Sequence, residues 1–149
     1  MKYEKILNLI EEAKVKSKLS PDMQTKVGCI IVDQEGGNLL SSYNGFITKG
    51  PDQTLPKTGE AKLNYMIHAE ENAICRAARR GIALDNTILI CTHSPCKKCM
   101  RLLYQSGVRT IYFDVEYKDF QETLNMKDID ITANSTVGYT KLSLSPKDK

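Results

Sequence analysis

The sequence predicts an α/β protein, a three-layer α/β/α sandwich around a central mixed sheet of about five strands. Short segments rich in β-branched residues alternate with longer segments whose apolar residues recur at helical spacing. After an initial hairpin the order is helix, strand, helix, strand, which is typical of parallel strands covered by helices. A length of 149 residues and a hydrophobic content of 41% suit one core, so we expect a single domain over residues 1–149.

The first half of the chain predicts a helix, a hairpin and a long loop. Apolar residues at helical spacing predict an amphipathic helix over residues 3–18. Residues 26–33 are rich in β-branched residues, which predicts a buried strand. The turn residues at 34–38 lead to a second strand over 39–43, so the two strands form a hairpin. Residues 44–64 have no periodicity, and a loop of this length is usually functional or disordered.

The second half predicts two pairs of helix and strand. A stripe of alanines predicts a helix over residues 68–81, where Gly81 is placed to end it. Residues 87–91 predict a strand, residues 97–106 a helix and residues 108–113 a further strand.

The pattern weakens after Asp114. We expect a short helix from Tyr117 to Met126, an edge strand from Ile129 to Ile131 and a frayed tail over 142–149.

The composition limits which binding partners and which cellular compartment we expect for this protein. The net charge of +3 is too small to indicate nucleic-acid binding, but it would suit a small anionic ligand. The longest apolar runs cannot span a bilayer and the N-terminus lacks a signal-peptide core, so we expect no membrane partner and a cytoplasmic location. Five cysteines cannot all pair within the chain, and thiols stay reduced in the cytosol. Some of them are therefore expected in metal binding or catalysis.

Two cysteines and one histidine stand at the starts of the two predicted helices of the second half. Cys96 and Cys99 form a P-C-x-x-C motif that opens one helix, and His68 opens the other. Consecutive strand–helix units of a parallel sheet bring their helix N-termini to one edge, so these side chains should converge. Three protein ligands leave a fourth position open to water, which is the arrangement of catalytic zinc.

A carboxylate lies beside the predicted metal site. Glu70 falls in the first helical turn after His68 and can project toward the open position, whereas Glu71 should be aimed elsewhere. A carboxylate there could take a proton from water and pass it to a leaving group. H-x-E followed by P-C-x-x-C, here residues 68–70 and 95–99, is the motif pair of zinc-dependent nucleobase deaminases.

With these motifs the sequence resembles the cytidine deaminase superfamily and, within it, the deoxycytidylate (dCMP) deaminases. The resemblance covers roughly residues 20 to 117. The shared stretches are KVGCIIVD (26–33), YNG (43–45), HAEENAI (68–74), SPCKKC (94–99) and QSGVRTIYF (105–113). The resemblance implies the cytidine deaminase-like fold and a zinc-dependent hydrolase acting on a cyclic amidine. Its reaction would be deamination of dCMP to dUMP with release of ammonia, which supplies dUMP for thymidylate synthesis.

The resemblance also implies roles for individual residues. His68, Cys96 and Cys99 would hold Zn²⁺, Glu70 would move protons, and Asn44 would hydrogen-bond the sugar or base. Two residues adjoining these motifs, Ala69 and Ser94, are further predicted substrate contacts.

The phosphate contacts of the family have no clear motif in this chain. On charge and position alone, Ser17, Lys18 and Lys26 are the candidates for binding the phosphate. The family often forms a hexamer regulated by dCTP and dTTP. Ser42 stands where many members have glycine, and Phe46 and Ile47 stand in the loop that follows, so these residues weaken the prediction of that regulation.

Alternatives remain open at this stage. A relative of the same superfamily could deaminate guanine, a pterin-like ring, cytidine or adenosine in tRNA, and a non-catalytic zinc-stabilised binding module would need no glutamate. His93 could be a ligand or part of the pocket, and Asn44 could be only a turn residue. The remaining cysteines, Cys29, Cys75 and Cys91, are expected in the core.

Overall fold

The structure, a computed structural model, describes residues 1–47, 50, 54–117, 129–134 and 139–144. The helices in these ranges are α1 (Tyr3–Ser17), α2 (Ala69–Arg80) and α3 (Lys97–Ser106), with a 3₁₀ helix at Glu60–Asn64. The strands are β1 (Gly28–Val32), β2 (Asn38–Tyr43), β3 (Thr87–His93), β4 (Val108–Val115), β5 (Ile129–Asn134) and β6 (Tyr139–Leu144). None of the described helices has the length and apolar character that crossing a membrane requires.

All six strands belong to one mixed sheet in the order β2-β1-β3-β4-β6-β5. Strand β1 is antiparallel to both of its neighbours, and β3 is parallel to β4. It follows that β2, β3 and β4 run in the same direction. Their carboxyl ends therefore lie at one edge of the sheet, from which the chain leads into α2 and α3.

Helices cover both faces of the sheet. Helix α1 buries one apolar face against β1 and β3, whose side chains on that side include Ile30, Val32 and Ile90. Helices α2 and α3 cover the opposite face, where Leu89 and Ile111 are fully buried. Every residue of β1 is buried, as expected for a strand with helices on both sides. The predicted three-layer sandwich is confirmed.

The predicted number of about five strands is wrong. Four strands, β1–β4, form the sheet that the helices cover, and the β5–β6 hairpin extends that sheet beyond β4. The predicted edge strand is β5, but β6 was not predicted. The tail expected to fray from residue 142 instead pairs through 142–144 with 129–131. The predicted helix from Tyr117 lies beyond that residue outside the described ranges, as do residues 145–149.

The missed strand has a physical reason. Residues 139–144 mix threonine, lysine and serine with apolar residues, so local periodicity does not mark them as a strand. Their conformation depends on pairing with Thr110–Tyr112 of β4, about thirty residues earlier. Such pairing is a long-range property that a local pattern does not contain.

Gly28 lies at the closest approach of α1 to the sheet. A Cβ atom at this position would clash with the carbonyl of Ala13 and lie 2.7 Å from the backbone nitrogen of Ser17. Both obstacles are helix backbone, which cannot rotate away as a side chain can. The packing of α1 onto β1 therefore requires glycine here.

We expect Gly28→Ala to lower the free energy of unfolding by about 1–3 kcal/mol, because α1 would have to shift away from β1. Urea unfolding followed by circular dichroism measures this change. The matched control is Gly45→Ala, whose added Cβ would meet its nearest neighbour, Pro21 Cδ, at an ordinary 3.6 Å. Equal urea midpoints for the two variants would contradict the proposed close packing.

Candidate active site

A cavity opens at the edge of the sheet where β2, β3 and β4 end. Its walls come from the segment before β1, the segments that follow β2, β3 and β4, the 3₁₀ helix and the start of α2. Among the residues predicted for the site, those that line the cavity are Asn44, His68, Ala69, Glu70, Ser94 and Cys96. The edge predicted from the strand–helix order is thus where the predicted residues meet.

The three predicted metal ligands lie together. The Nδ1 atom of His68 is 3.6 Å from the Sγ atom of Cys96 and 3.4 Å from that of Cys99. Bond lengths of about 2.1 Å to nitrogen and about 2.3 Å to sulfur give a tetrahedral zinc site nitrogen–sulfur edges of about 3.6 Å. The donor atoms therefore have the spacing and the chemistry of ligands to one zinc-like ion.

The charges of the two thiols also fit a cation. Hydrogen bonds from Cys99 and His68 lower the pKa of Cys96 to about 4. The hydrogen bond to Cys96, together with burial, raises the pKa of Cys99. The hydrogen bond with Cys96 raises the pKa of His68. Without a cation, Cys96 is thus the thiolate and Cys99 keeps its proton. A bound metal would stabilise the thiolate form of both residues.

Glu70 is buried beside this group. The residue is only 4% exposed and lines the cavity, and burial raises the pKa of its carboxyl group. Its Oε1 atom lies 3.5 Å from the Sγ atoms of both Cys29 and Cys91. This carboxyl group is therefore removed from bulk water while it remains next to the cavity.

Glu71 has a different position and a structural role. Its Oε1 atom accepts a hydrogen bond from the backbone N–H of His68 at 3.1 Å, and its Oε2 atom lies 3.1 Å from Lys98 Nζ. Burial opposes ionisation of Glu71, but these contacts lower its pKa. Glu71 therefore caps α2.

Asn44 holds two segments together at the wall of the cavity. Its Oδ1 atom accepts a hydrogen bond from Val27 N at 2.8 Å, and its Nδ2 atom donates to the Thr25 carbonyl at 2.9 Å. The Asn44 side chain thus connects the chain before β1 to the chain after β2. Asn44 lies outside the turn that joins these two strands, so a hairpin-turn role does not apply.

Ser94 and Ala69 are fixed by backbone contacts. Ser94 Oγ accepts a hydrogen bond from Tyr117 N at 2.7 Å, and Ser94 N donates to the Val115 carbonyl at 2.8 Å. The Ala69 carbonyl accepts a hydrogen bond from the Ser42 hydroxyl at 2.6 Å. This hydrogen bond ties β2 to the first turn of α2.

The three residues predicted for the phosphate, Ser17, Lys18 and Lys26, do not line the cavity. Lys18 is exposed, and the ammonium group of Lys26 donates to the carbonyl of Ser20. Lys62, on the 3₁₀ helix, does line the cavity. Sequence reasoning missed Lys62 because the loop that contains it has no periodic pattern.

Lys62 is paired with a buried aspartate that sequence reasoning also missed. Its Nζ atom lies 2.9 Å from both carboxylate oxygens of Asp22, with side chains that are 12% and 3% exposed. Asp22 Oδ1 also accepts hydrogen bonds from Gln24 N and Thr25 N. Burial opposes ionisation of Asp22, but Lys62 and these N–H groups lower its pKa. The sequence feature that could have pointed to Asp22 is the turn motif Ser20-Pro21-Asp22, because aspartate side chains in turns often accept hydrogen bonds from nearby backbone N–H groups.

His93 and the other cysteines lie outside the group of three ligands. His93 lines the cavity, with its Nδ1 atom 2.8 Å from Thr92 Oγ1, and burial lowers its pKa. Cys29 and Cys91 are fully buried, as expected. The core position expected for Cys75 is wrong, because this residue faces outward on the polar side of α2.

The chain is similar to proteins of known family. Residues 2–115 match the model of the family described as the cytidine and deoxycytidylate deaminase zinc-binding region. A probable deoxycytidylate deaminase of Caenorhabditis elegans is 36% identical over 116 residues, which are 75% of this chain and 56% of the relative. The deoxycytidylate deaminase of Homo sapiens is 31% identical over 110 residues, which are 69% of this chain and 61% of the relative. The chain thus spans only about half to three fifths of these relatives.

A solved structure agrees with these similarities. The dCMP deaminase of the cyanophage S-TIM5, in complex with dCMP and dUMP, is 30% identical and superimposes with a TM-score of 0.70. The match covers 83% of this chain and 92% of the phage protein. Because the family model covers most of the chain and includes both metal motifs, the chain belongs to the cytidine and deoxycytidylate deaminase zinc-binding family.

Proposed function

We propose that the chain is a zinc-dependent hydrolase that deaminates dCMP to dUMP and releases ammonia. The observation that carries this proposal is the buried carboxyl group of Glu70, which opens on the same cavity as His68 and Cys96. A non-catalytic zinc module would have no use for a buried carboxyl group there. The curated relatives named deoxycytidylate deaminase and the phage enzyme bound to dCMP and dUMP support the choice of substrate.

In this proposal, different residues bind the metal and transfer the protons. His68, Cys96 and Cys99 would hold zinc, which supplies Lewis acidity and makes water a better nucleophile at neutral pH. Glu70 takes one proton from the attacking water and delivers it to N3 of the cytosine ring. It then takes the second proton, from the hydroxyl group added at C4, and delivers it to the amino group, which leaves as ammonia while C4 becomes a carbonyl. A pKa raised by burial suits this task, because Glu70 must both accept and return a proton.

We propose that the ammonium group of Lys62 binds the phosphate of dCMP. Among the described residues of the cavity wall, Lys62 is the one lysine or arginine side chain. Its partner Asp22 holds the ammonium group in position until an anionic ligand arrives. A charge-assisted contact of this kind would distinguish dCMP from the uncharged nucleoside.

The remaining expectations stay proposals. We propose that residues 1–149 form one deaminase domain and that this domain works in the cytoplasm. We also propose that the protein is a homo-oligomer, for which the family resemblance implies a hexamer, and that dCTP and dTTP are its allosteric effectors. Five free thiols support a reducing compartment. The family resemblance supports the assembly and the effectors, and Ser42 weakens the case for the effectors because it replaces the usual glycine.

We expect Glu70→Gln to lower kcat for dCMP by about 10²–10⁴-fold, because it removes the group that carries protons. The variant should keep the zinc content of the parent protein, since Glu70 is not a predicted ligand. Ammonia release and metal analysis measure the two quantities. Glu71→Gln is the matched control, and it should lose stability but little turnover. Parent-level turnover in Glu70→Gln would refute the mechanism.

Removing zinc with a chelator should abolish ammonia release, and adding zinc back should restore it, because the metal supplies the activated nucleophile. We expect His68→Ala to lose the metal as well, as measured by elemental analysis of the purified protein. His93→Ala should keep its metal, because His93 does not lie with the three ligands. Active, metal-free protein would contradict the proposed cofactor.

We expect Lys62→Met to lower kcat/KM for dCMP by about 10–100-fold and to change kcat/KM for deoxycytidine by less than about threefold. The physical reason is that only dCMP carries the charge that Lys62 would bind. Steady-state kinetics on both substrates measure this difference, and Lys18→Met and Lys26→Met are the controls. An unchanged ratio of the two kcat/KM values in Lys62→Met would exclude Lys62 as the phosphate contact.

A further inference from the structure

Two buried cysteines face each other across neighbouring strands next to Glu70. Cys29 of β1 and Cys91 of β3 are directly opposed in the antiparallel register. Both are 0% exposed, and their Sγ atoms are 3.1 Å apart. Directly opposed residues project from the same face of a sheet. The two thiols therefore form one pair on the face that α2 covers.

Both thiols reach the same oxygen atom. The Sγ atom of Cys29 and the Sγ atom of Cys91 each lie 3.5 Å from Glu70 Oε1. A carboxylate oxygen can accept two hydrogen bonds, and each thiol has one proton to donate. The geometry thus places two thiol groups within hydrogen-bond distance of one oxygen of Glu70.

We propose that Cys29 and Cys91 are positioning residues for Glu70. Their S–H groups hold Oε1, which leaves Oε2 to face the cavity and exchange protons. The inference rests on the proposed function, because only the proton transfers proposed for Glu70 require one defined orientation of its carboxyl group. Catalytic groups that are held in one orientation react faster than groups that rotate.

The chemistry of the surroundings favours this role over simple packing. A buried carboxylate oxygen without donors is costly, and alanine or valine on β1 or β3 would fill space without supplying any. Cys99 is also a hydrogen-bond partner of Glu70, but it belongs to the predicted metal group and would lose its proton to the metal. Cys29 and Cys91 would then remain as thiol donors in the metal-loaded protein.

Infrared spectroscopy of the S–H stretching band tests the contact without any measure of activity. The metal-loaded protein with Cys75→Ser is the sample, because Cys29 and Cys91 are then the expected thiols that still carry protons. We expect Glu70→Gln to move the band to higher frequency, since an amide oxygen is a weaker acceptor than a carboxylate. Glu71→Gln should leave the band unmoved. A band that does not move in Glu70→Gln would overturn the proposal.

Kinetics test the consequence for turnover. We expect the double variant Cys29→Ala/Cys91→Ala to lower kcat for dCMP by about tenfold, with KM changed by less than about twofold. The double variant Cys29→Ser/Cys91→Ser should recover most of the loss, because a hydroxyl group also donates. Cys75→Ser, at an exposed position on α2, is the control.

The possible results separate the two proposals. Parent-level kcat in the double alanine variant would overturn the positioning role, as would equal losses in the alanine and serine variants. If the alanine variant does not fold, the infrared measurement still decides the contact. Parent-level turnover in Glu70→Gln would instead refute the proposed function, whatever the infrared band shows.

Discussion

Because β1 is antiparallel to both of its neighbours, β2, β3 and β4 point the same way, and α2 and α3 begin at the same edge of the sheet. This shared direction brings His68 at the start of α2 within 3.6 Å of Cys96 at the start of α3. Neither helix could form the site alone. Gly28 belongs to the same arrangement, because it lets α1 seal the other face of the sheet and keep β1 fully buried.

The site places ionisable groups where water is scarce, and each of them has a specific partner. Lys62 faces Asp22, and Cys96 forms hydrogen bonds with Cys99 and His68. Buried charges need partners of this kind because the protein interior solvates them poorly. Such pairs fix the positions of the ionisable side chains around the cavity.

Glu70 differs from these groups because its hydrogen-bond partners are weak donors. Its hydrogen-bond partners are the thiols of Cys29, Cys91 and Cys99, which are weaker donors than N–H or O–H groups. Burial raises the pKa of Glu70, and the nearby His68 and these weak donors offset only part of that effect. Glu71, one residue further along α2, has an N–H group and an ammonium group as partners, and its pKa is lowered.

The sequence by itself determined the elements that carry a strong local pattern and the motifs at their ends. Helix α3 matches its predicted bounds, and His68, Glu70, Cys96 and Cys99 were all singled out. The bounds of α3 could be predicted because helical periodicity is a property of neighbouring residues, and the spacing within the two motifs is equally local. The tertiary structure alone decided the pairing of β6 with β4, the entry of Lys62 rather than Lys26 into the cavity, and the meeting of Cys29 and Cys91 at Glu70. Each of these contacts joins segments far apart in the chain, and packing of the whole sheet sets their distance.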